Sequence, residues 1–306
     1  MERRKVPVHG HIDRRSFLDG AGRLALGGMA AGTIFTMMRP RDAWARQAAK
    51  DAHPASARVL DRLRTRFMFQ ISVDVATIEL GLAVAGAGLA GGVNIVEMGT
   101  PLLKNQGVSN VVPAFRRKFP EALLLADMKT MDGGGFEARG VFSGGGNIVD
   151  FLAMAGVDTA KAICAVRDEF RRAGDLPRLV FADIMVPNQG PAAQAVDVAR
   201  RMLDAGVDAV GVHLQSDARH ADPKLIESDY LGDVARAIFE KVGKEAPVQV
   251  VGGLNTAQAK RLAKAGVRAF VISSNMGQAD NKSRFDLPAA EIQQLVAGFI
   301  SDVSVG

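Results

Sequence analysis

The stretch LLLADMKTMDGGG, Leu123 to Gly135, changes character halfway along. Its apolar start reads as a buried strand, and the charges of Asp127, Lys129 and Asp132 follow at once. Charged side chains are seldom buried unless they are paired or functional. Strand side chains alternate between two faces, so Leu125, Asp127 and Lys129 are expected to share one face opposite Leu124, Ala126 and Met128. This segment is therefore expected to be a strand with an apolar beginning and a chemically active end.

Seven other runs rich in apolar and β-branched residues recur along the chain. They are FMFQISVD (67–74), VNIVEMG (93–99), NIVDFLAM (147–154), RLVFADIM (178–185), DAVGVHLQ (208–215), VQVVGG (248–253) and AFVISS (269–274). Amphipathic stretches such as QAVDVARRMLDAG and TAQAKRLAKAG separate them, each ending in a glycine suited to a helix C-terminus. Eight strands alternating with helices predict an α/β fold, a single-domain (β/α)8 TIM barrel over residues 67–306. A doubly wound dinucleotide-binding sheet would carry a glycine-rich loop after its first strand, and this chain has none there.

Residues 46–66 read as a linker and a leading helix. Residues 1–45 read as a targeting segment, with Arg14-Arg15 ahead of Phe17-Leu18, a Gly/Ala-rich apolar stretch, and Ala43-Trp44-Ala45 as a cleavage site. That order resembles a twin-arginine export signal, which predicts a periplasmic or secreted protein with no stable membrane association once the signal is removed. A cytoplasmic location follows if the segment is not a signal. The segment holds eight of the 38 basic residues and four of the 33 acidic ones, leaving 30 against 29 in the remainder. So even a balance argues against a nucleic-acid partner. The lone cysteine, Cys164, lies in a helical pattern and reads as a small buried apolar residue.

Barrel enzymes carry their chemistry at the C-terminal ends of the strands. In this chain Asp74, Glu97, Asp127, Lys129, Asp183 and His213 all come late in their runs, and Asp150 can point inward from the fourth. Any one strand-end aspartate could instead cap the next helix, and a single histidine is more often a core residue. Agreement of so many polar residues on one end favours a site. Several carboxylates gathered together repel unless a cation intervenes. Lys129 supplies one positive charge, and an oxygen-only ligand set suits Mg2+ better than zinc.

The segments NIVEMGTPLLKNQG (94–107), LLLADMKTMDGGGFEA (123–138), DAVGVHLQSD (208–217) and VQVVGGLNTAQAKRLAKAG (248–266) together resemble the orotidine-phosphate decarboxylase suprafamily. The likeness is greatest to its branch of 3-hexulose-6-phosphate synthases and 3-keto-L-gulonate-6-phosphate decarboxylases. The resemblance implies that Glu97 and Asp127 ligate Mg2+ and that Lys129 stabilises an enediolate oxygen. It implies that His213 relays protons and that Asp74 and Asp183 contact substrate. It also implies a homodimer with shared active sites, in which Asp132 reaches the neighbouring subunit. The activity so implied is that of a carbon–carbon lyase, adding formaldehyde to a ketose phosphate or catalysing the reverse. A decarboxylase acting through the same enediolate is the alternative, and a catalytically inactive sugar-binding barrel is the alternative of another class.

Members of the suprafamily hold a substrate phosphate on glycine-rich loops after strands seven and eight. Gly252 and Gly253 match the first loop, whereas the second reads ISSNMGQADNKSR, with Ser273 and Ser274 as hydroxyl donors and Arg284 as a source of charge. The expected small-molecule partner is a keto sugar, phosphorylated in the family pattern, or unphosphorylated if that altered loop no longer serves the phosphate.

Overall fold

The computed structural model describes residues 53–305, all within one compact unit, so the expected export signal lies outside the described residues. Eight parallel strands close on themselves in the order β1 to β8. They are β1 (Met68–Val73), β2 (Ile95–Met98), β3 (Leu123–Asp127), β4 (Ile148–Leu152), β5 (Leu179–Val186), β6 (Ala209–Leu214), β7 (Val248–Val251) and β8 (Ala269–Ile272). Each falls within one residue of a run identified in the sequence.

Two apolar layers hold the barrel, one on each face of its wall. Outward-facing Ile71, Val96, Leu124, Val149, Val180 and Val212 are fully buried beneath the surrounding helices. Burying side chains of this size contributes about 1.5–3 kcal/mol each. Inward-facing Met68, Ile95, Leu125, Ile148, Phe181, Ala209 and Ala269 fill the N-terminal half of the barrel. Val59 and Leu63 of the leading helix, Pro54–Thr65, join that inner cluster and close the barrel floor. Ser56 on the same helix fastens it, donating to the Arg178 carbonyl at 3.2 Å and accepting from the Arg178 N–H at 3.0 Å.

Helices start and stop where local chemistry dictates. Asn255 and Gln258 form a reciprocal capping box at the start of Thr256–Lys264. Gly206 and Gly266, just past two helices, take positive φ values of 101° and 104°, as a left-handed helix stop requires. Cys164 is buried in the helix Val157–Ala173, and burial pushes its thiol up to about 12.

The upper half of the barrel is polar. Paired residues of parallel strands share a face, and the pairing matches Ser72 with Glu97, Asp127 with Asp150, and Asp183 with Gly211. Register alone thus converges several carboxyl groups on the barrel axis.

Candidate active site

Lys129 is the centre of the polar layer. Its Nζ donates to Asp127 Oδ1 at 2.7 Å, to Asp127 Oδ2 at 2.8 Å and to Asp183 Oδ2 at 2.8 Å. Strand alternation does not place it, because β3 ends two residues earlier at Asp127. Met128 still donates its N–H to the Asp150 carbonyl at 3.0 Å, and Lys129 then turns into the left-handed region at φ 48°. A non-glycine residue in that region costs of order 1–3 kcal/mol and persists where the surroundings over-determine it. Here three salt-bridging contacts do so. Burial works against the ammonium, but Asp127, Asp183 and Asp150 outweigh it and hold Lys129 well above its ordinary range.

Asp183 and His213 form the second element. Asp183 Oδ2 lies 2.6 Å from His213 Nδ1. Burial opposes ionisation of Asp183, yet Lys129 and His213 overcome it and hold the carboxyl well below the usual range. A carboxylate that fixes Nδ1–H leaves Nε2 as the basic ring nitrogen. Gly211, one pleat below His213, makes room for this pair, since a Cβ there would sit 2.5 Å from Asp183 Oδ1.

A hydrogen-bonded ladder lines the other side. Gln249 donates to Gln70 at 2.9 Å, and Gln70 donates to Glu97. Ser72 Oγ lies 2.9 Å from Glu97 Oε1 and 2.7 Å from Asp74 Oδ2. One hydroxyl proton cannot serve two carboxylates together, so both contacts form at once only if one carboxyl is protonated. Burial, with Asp127 and Asp74 nearby, pushes the Glu97 carboxyl well up. Thr100, the first residue of the helix Thr100–Gln106 after β2, donates to the Asp127 carbonyl at 2.8 Å or to its Oδ2 at 2.9 Å.

The donor set fits a hard divalent cation. Asp127, Asp150 and Asp183 each offer an oxygen within 4.8 Å of the others. Asp150 Oδ1 and Asp183 Oδ1 are buried without a hydrogen-bond partner. Oxygen donors of this kind suit Mg2+. Glu97, expected in the sequence to pair with Asp127 as a ligand, is not in this group of three and is engaged by Gln70 and Ser72. Asp150 and Asp183 are the carboxylates that share the position with Asp127.

The like charges carry a measurable cost. Burial, followed by Asp183 and Asp127, pushes the Asp150 carboxyl well above its ordinary range. The folded state therefore binds a proton more readily than the unfolded chain, and stability falls as pH rises above the unfolded carboxyl value of about 3.9. Asp150→Asn removes this penalty. In metal-free protein its melting temperature is expected to exceed that of the wild type by about 2–4 °C per kcal/mol relieved, most above neutral pH and little near pH 4. Calorimetry in a chelator checks this, and a pH-independent shift or a loss of stability would refute it.

The remaining expected residues fall at the mouth. Asp74 follows β1 and is exposed there, and Gly99 leaves space for it, since a Cβ at 99 would lie 2.3 Å from its Oδ1. Asp132 is exposed in the loop after β3, where its Oδ1 accepts the Gly133 N–H at 2.7 Å; it does not join the Lys129 cluster. Gly252 and Gly253 follow β7 with φ values of 118° and 71°. Ser273 Oγ accepts from the Gly253 N–H at 3.4 Å, and the Ser274 carbonyl accepts from the Arg284 N–H at 3.0 Å. Arg284, expected to offer charge, has its guanidinium taken by Asp280 at 2.9 and 2.7 Å and by neighbouring carbonyls. Gln70, Gln249, Thr100 and Arg219 belong to the mouth or its wall and were not foreseen as site residues.

Residues 68–287 match the model of the orotidine 5'-phosphate decarboxylase / HUMPS family. The 3-hexulose-6-phosphate synthase of Mycobacterium gastri is 30% identical over 230 residues, 74% of this chain and 97% of that protein. A solved 3-hexulose-6-phosphate synthase is 25% identical with a TM-score of 0.61, covering 76% of this chain and 99% of the other. A solved 3-keto-L-gulonate-6-phosphate decarboxylase from Vibrio cholerae shares the fold at 22% identity and a TM-score of 0.61, covering 79% and 99% of the two chains.

Proposed function

Because the chain belongs to the orotidine 5'-phosphate decarboxylase / HUMPS family, we propose that it is a carbon–carbon lyase acting on a keto sugar through an enediolate. The observation that carries this reading is Lys129, held in a polar cavity between Asp127 and Asp183 with His213 on the far side of Asp183. Removing a proton from the carbon beside a ketone leaves one negative charge, carried mainly by the former carbonyl oxygen next to the neighbouring hydroxyl. A fixed ammonium aimed at that charge stabilises it where it develops. His213 Nε2 accepts the carbon-bound proton, and Asp183 stabilises the imidazolium that forms. The enediolate carbon then forms a bond to the formaldehyde carbon, whose carbonyl oxygen takes up a proton.

We assign Mg2+ to the oxygens of Asp127, Asp150 and Asp183, with Glu97 as the carboxyl behind them. Bound there, the ion would supply Lewis-acid stabilisation to a substrate oxygen. Solvent deuterium exchange tests the reading. Ketose phosphates incubated in D2O with Mg2+ should exchange the proton beside the ketone, and added formaldehyde should convert them to a sugar one carbon longer. Carbon dioxide release from a keto-acid sugar phosphate instead would mark the decarboxylase. Binding of ketoses without exchange or turnover would mark an inactive sugar-binding barrel and sink the lyase reading.

We further propose a homodimer built on the loops after β3 and β4. Met131 in the loop after β3, Phe136 in the first turn of the helix Gly134–Ser143 that follows, and Met154 in the turn after β4 are 52%, 87% and 48% exposed. Large exposed apolar groups on segments leading away from a site mark an interaction surface, and Asp132 follows Met131 in the chain. Phe136→Glu is expected to give a monomer in analytical ultracentrifugation where the wild type sediments as a dimer. A wild-type monomer would refute it. Export remains our proposal from Arg14-Arg15 and Ala43-Trp44-Ala45. Its mark would be a mature N-terminus near residue 46, read by mass spectrometry of the protein from its native host. Among the described residues no helix is long and apolar enough to cross a membrane.

A further inference from the structure

The backbone of Lys129 is pinned on both sides. Before it, Met128 donates its N–H to the Asp150 carbonyl at 3.0 Å. After it, Thr130 is only 2% exposed, although Met131, Asp132 and Gly133 beyond are all exposed. Thr130 is thus the last buried residue before the chain leaves the barrel, and its hydroxyl donates to a carboxylate oxygen of Glu137. Between these two points Lys129 takes its φ of 48°, a conformation that a side-chain-bearing residue keeps only where its neighbours hold it.

Glu137 makes a firm support. It stands in the first turn of the helix Gly134–Ser143, whose Ala138, Val141 and Phe142 are buried in the outer apolar layer. The start of that helix lies hard against the helix Val157–Ala173, since a Cβ on residue 134 would come 2.7 Å from Ile163 Cγ1. An acid in a first helical turn complements the helix dipole, which by itself accounts for a carboxylate there. It does not account for the bond to Thr130, which reaches back seven residues to the turn that carries Lys129.

We propose that Glu137 is a positioning residue: by holding the Thr130 hydroxyl it fixes the left-handed turn from which the Lys129 ammonium is aimed. The salt bridges to Asp127 and Asp183 fix Nζ, and the Thr130–Glu137 bond fixes the backbone from which the side chain extends. A lysine stem of four methylenes reaches the same carboxylates from several backbone positions, so one orientation needs both restraints. What the ammonium meets rests on the sugar-lyase reading; how it is held does not.

Thr130→Val keeps the shape of the side chain and removes the donor, whereas Thr130→Ser keeps the donor. With a ketose phosphate in D2O, Thr130→Val and Glu137→Ala should each lower kcat for exchange by about 10- to 100-fold and change KM far less, the cost of misplacing a reacting group by about 1 Å. Thr130→Ser and Glu137→Gln should retain most of the rate. A dipole role alone would make Glu137→Gln as slow as Glu137→Ala and leave Thr130→Val at the wild-type rate, and that pattern overturns the proposal. In a Lys129→Ala background Thr130→Val should slow exchange no further; a further loss of about 10-fold overturns it, because Thr130 would then act elsewhere.

Nitrogen-15 spectra read the ammonium without substrate. The Lys129 Nζ resonance, identified by its loss in Lys129→Ala, should shift or broaden in Thr130→Val and Glu137→Ala and stay in place in Thr130→Ser. An unmoved resonance in folded Thr130→Val overturns the proposal, and this variant carries the test should Glu137→Ala fail to fold. A moved resonance in a protein that exchanges no ketose upholds the positioning role and rejects the lyase.

Discussion

Lys129→Ala is expected to lower turnover by about 100- to 1,000-fold or more, the loss seen when a single pre-aimed donor to a developing oxyanion is removed. The same change should cost stability. Asp127, Asp150 and Asp183 would face one another without the ammonium now 2.7–2.8 Å from two of them. Removing one partner of a buried ion pair destabilises by about 3–5 kcal/mol because the other charge is left uncompensated. Adding Mg2+ should return much of that stability without restoring turnover, since a cation relieves the repulsion but does not replace the donor. Lys129→Gly provides the control. At φ 48° glycine is unstrained, so this variant should be about 1 kcal/mol more stable than Lys129→Ala and equally inactive. Deuterium exchange and chemical denaturation measure the two quantities separately. Exchange at wild-type rate in a folded Lys129→Ala protein would eliminate the proposed chemistry.

The barrel was legible because its strands are short, separated by helical patterns, and apolar on a period of two. That period also gave the right face for Glu97, Asp127, Asp183 and His213, whose polar side chains interrupt inward positions late in each run. It misjudged how Lys129 reaches the site. Alternation put Lys129 in line with Asp127, whereas a left-handed turn after the strand delivers it. Gln249 was missed because one amide inside an apolar run carries no mark of the cross-barrel bond it makes, 179 residues away, to Gln70. Thr100 was missed for the same reason, since it opens a helix and its partner Asp127 ends a strand 27 residues further on. Arg219 sits in a polar stretch whose composition predicts exposure. Its burial arises from loops on three separate strands meeting at one rim.

Asp127→Ala gives the complementary result, a loss of function with little loss of stability. Both oxygens of Asp127 serve Lys129, and Oδ2 also faces Thr100. Without them Lys129 keeps Asp183 at 2.8 Å, and Thr100 keeps the carbonyl of residue 127 at 2.8 Å, so neither is left unpaired. Burial is the main cause that pushes Asp150 and Glu97 upward, and one fewer carboxylate eases the repulsion that adds to it. The fold should therefore lose no more than about 1 kcal/mol, within the ordinary range for a single substitution. Activity should fall by at least about 1,000-fold, because Lys129 loses the support that aims it and the proposed cation loses a ligand. Titration calorimetry should show Mg2+ affinity reduced by about 10-fold or more. A merely structural Asp127 would give the opposite pattern, with stability lost and the surviving folded protein still turning over. Unchanged Mg2+ affinity with abolished turnover would keep Asp127 as the positioning residue for Lys129 and remove it from the metal site.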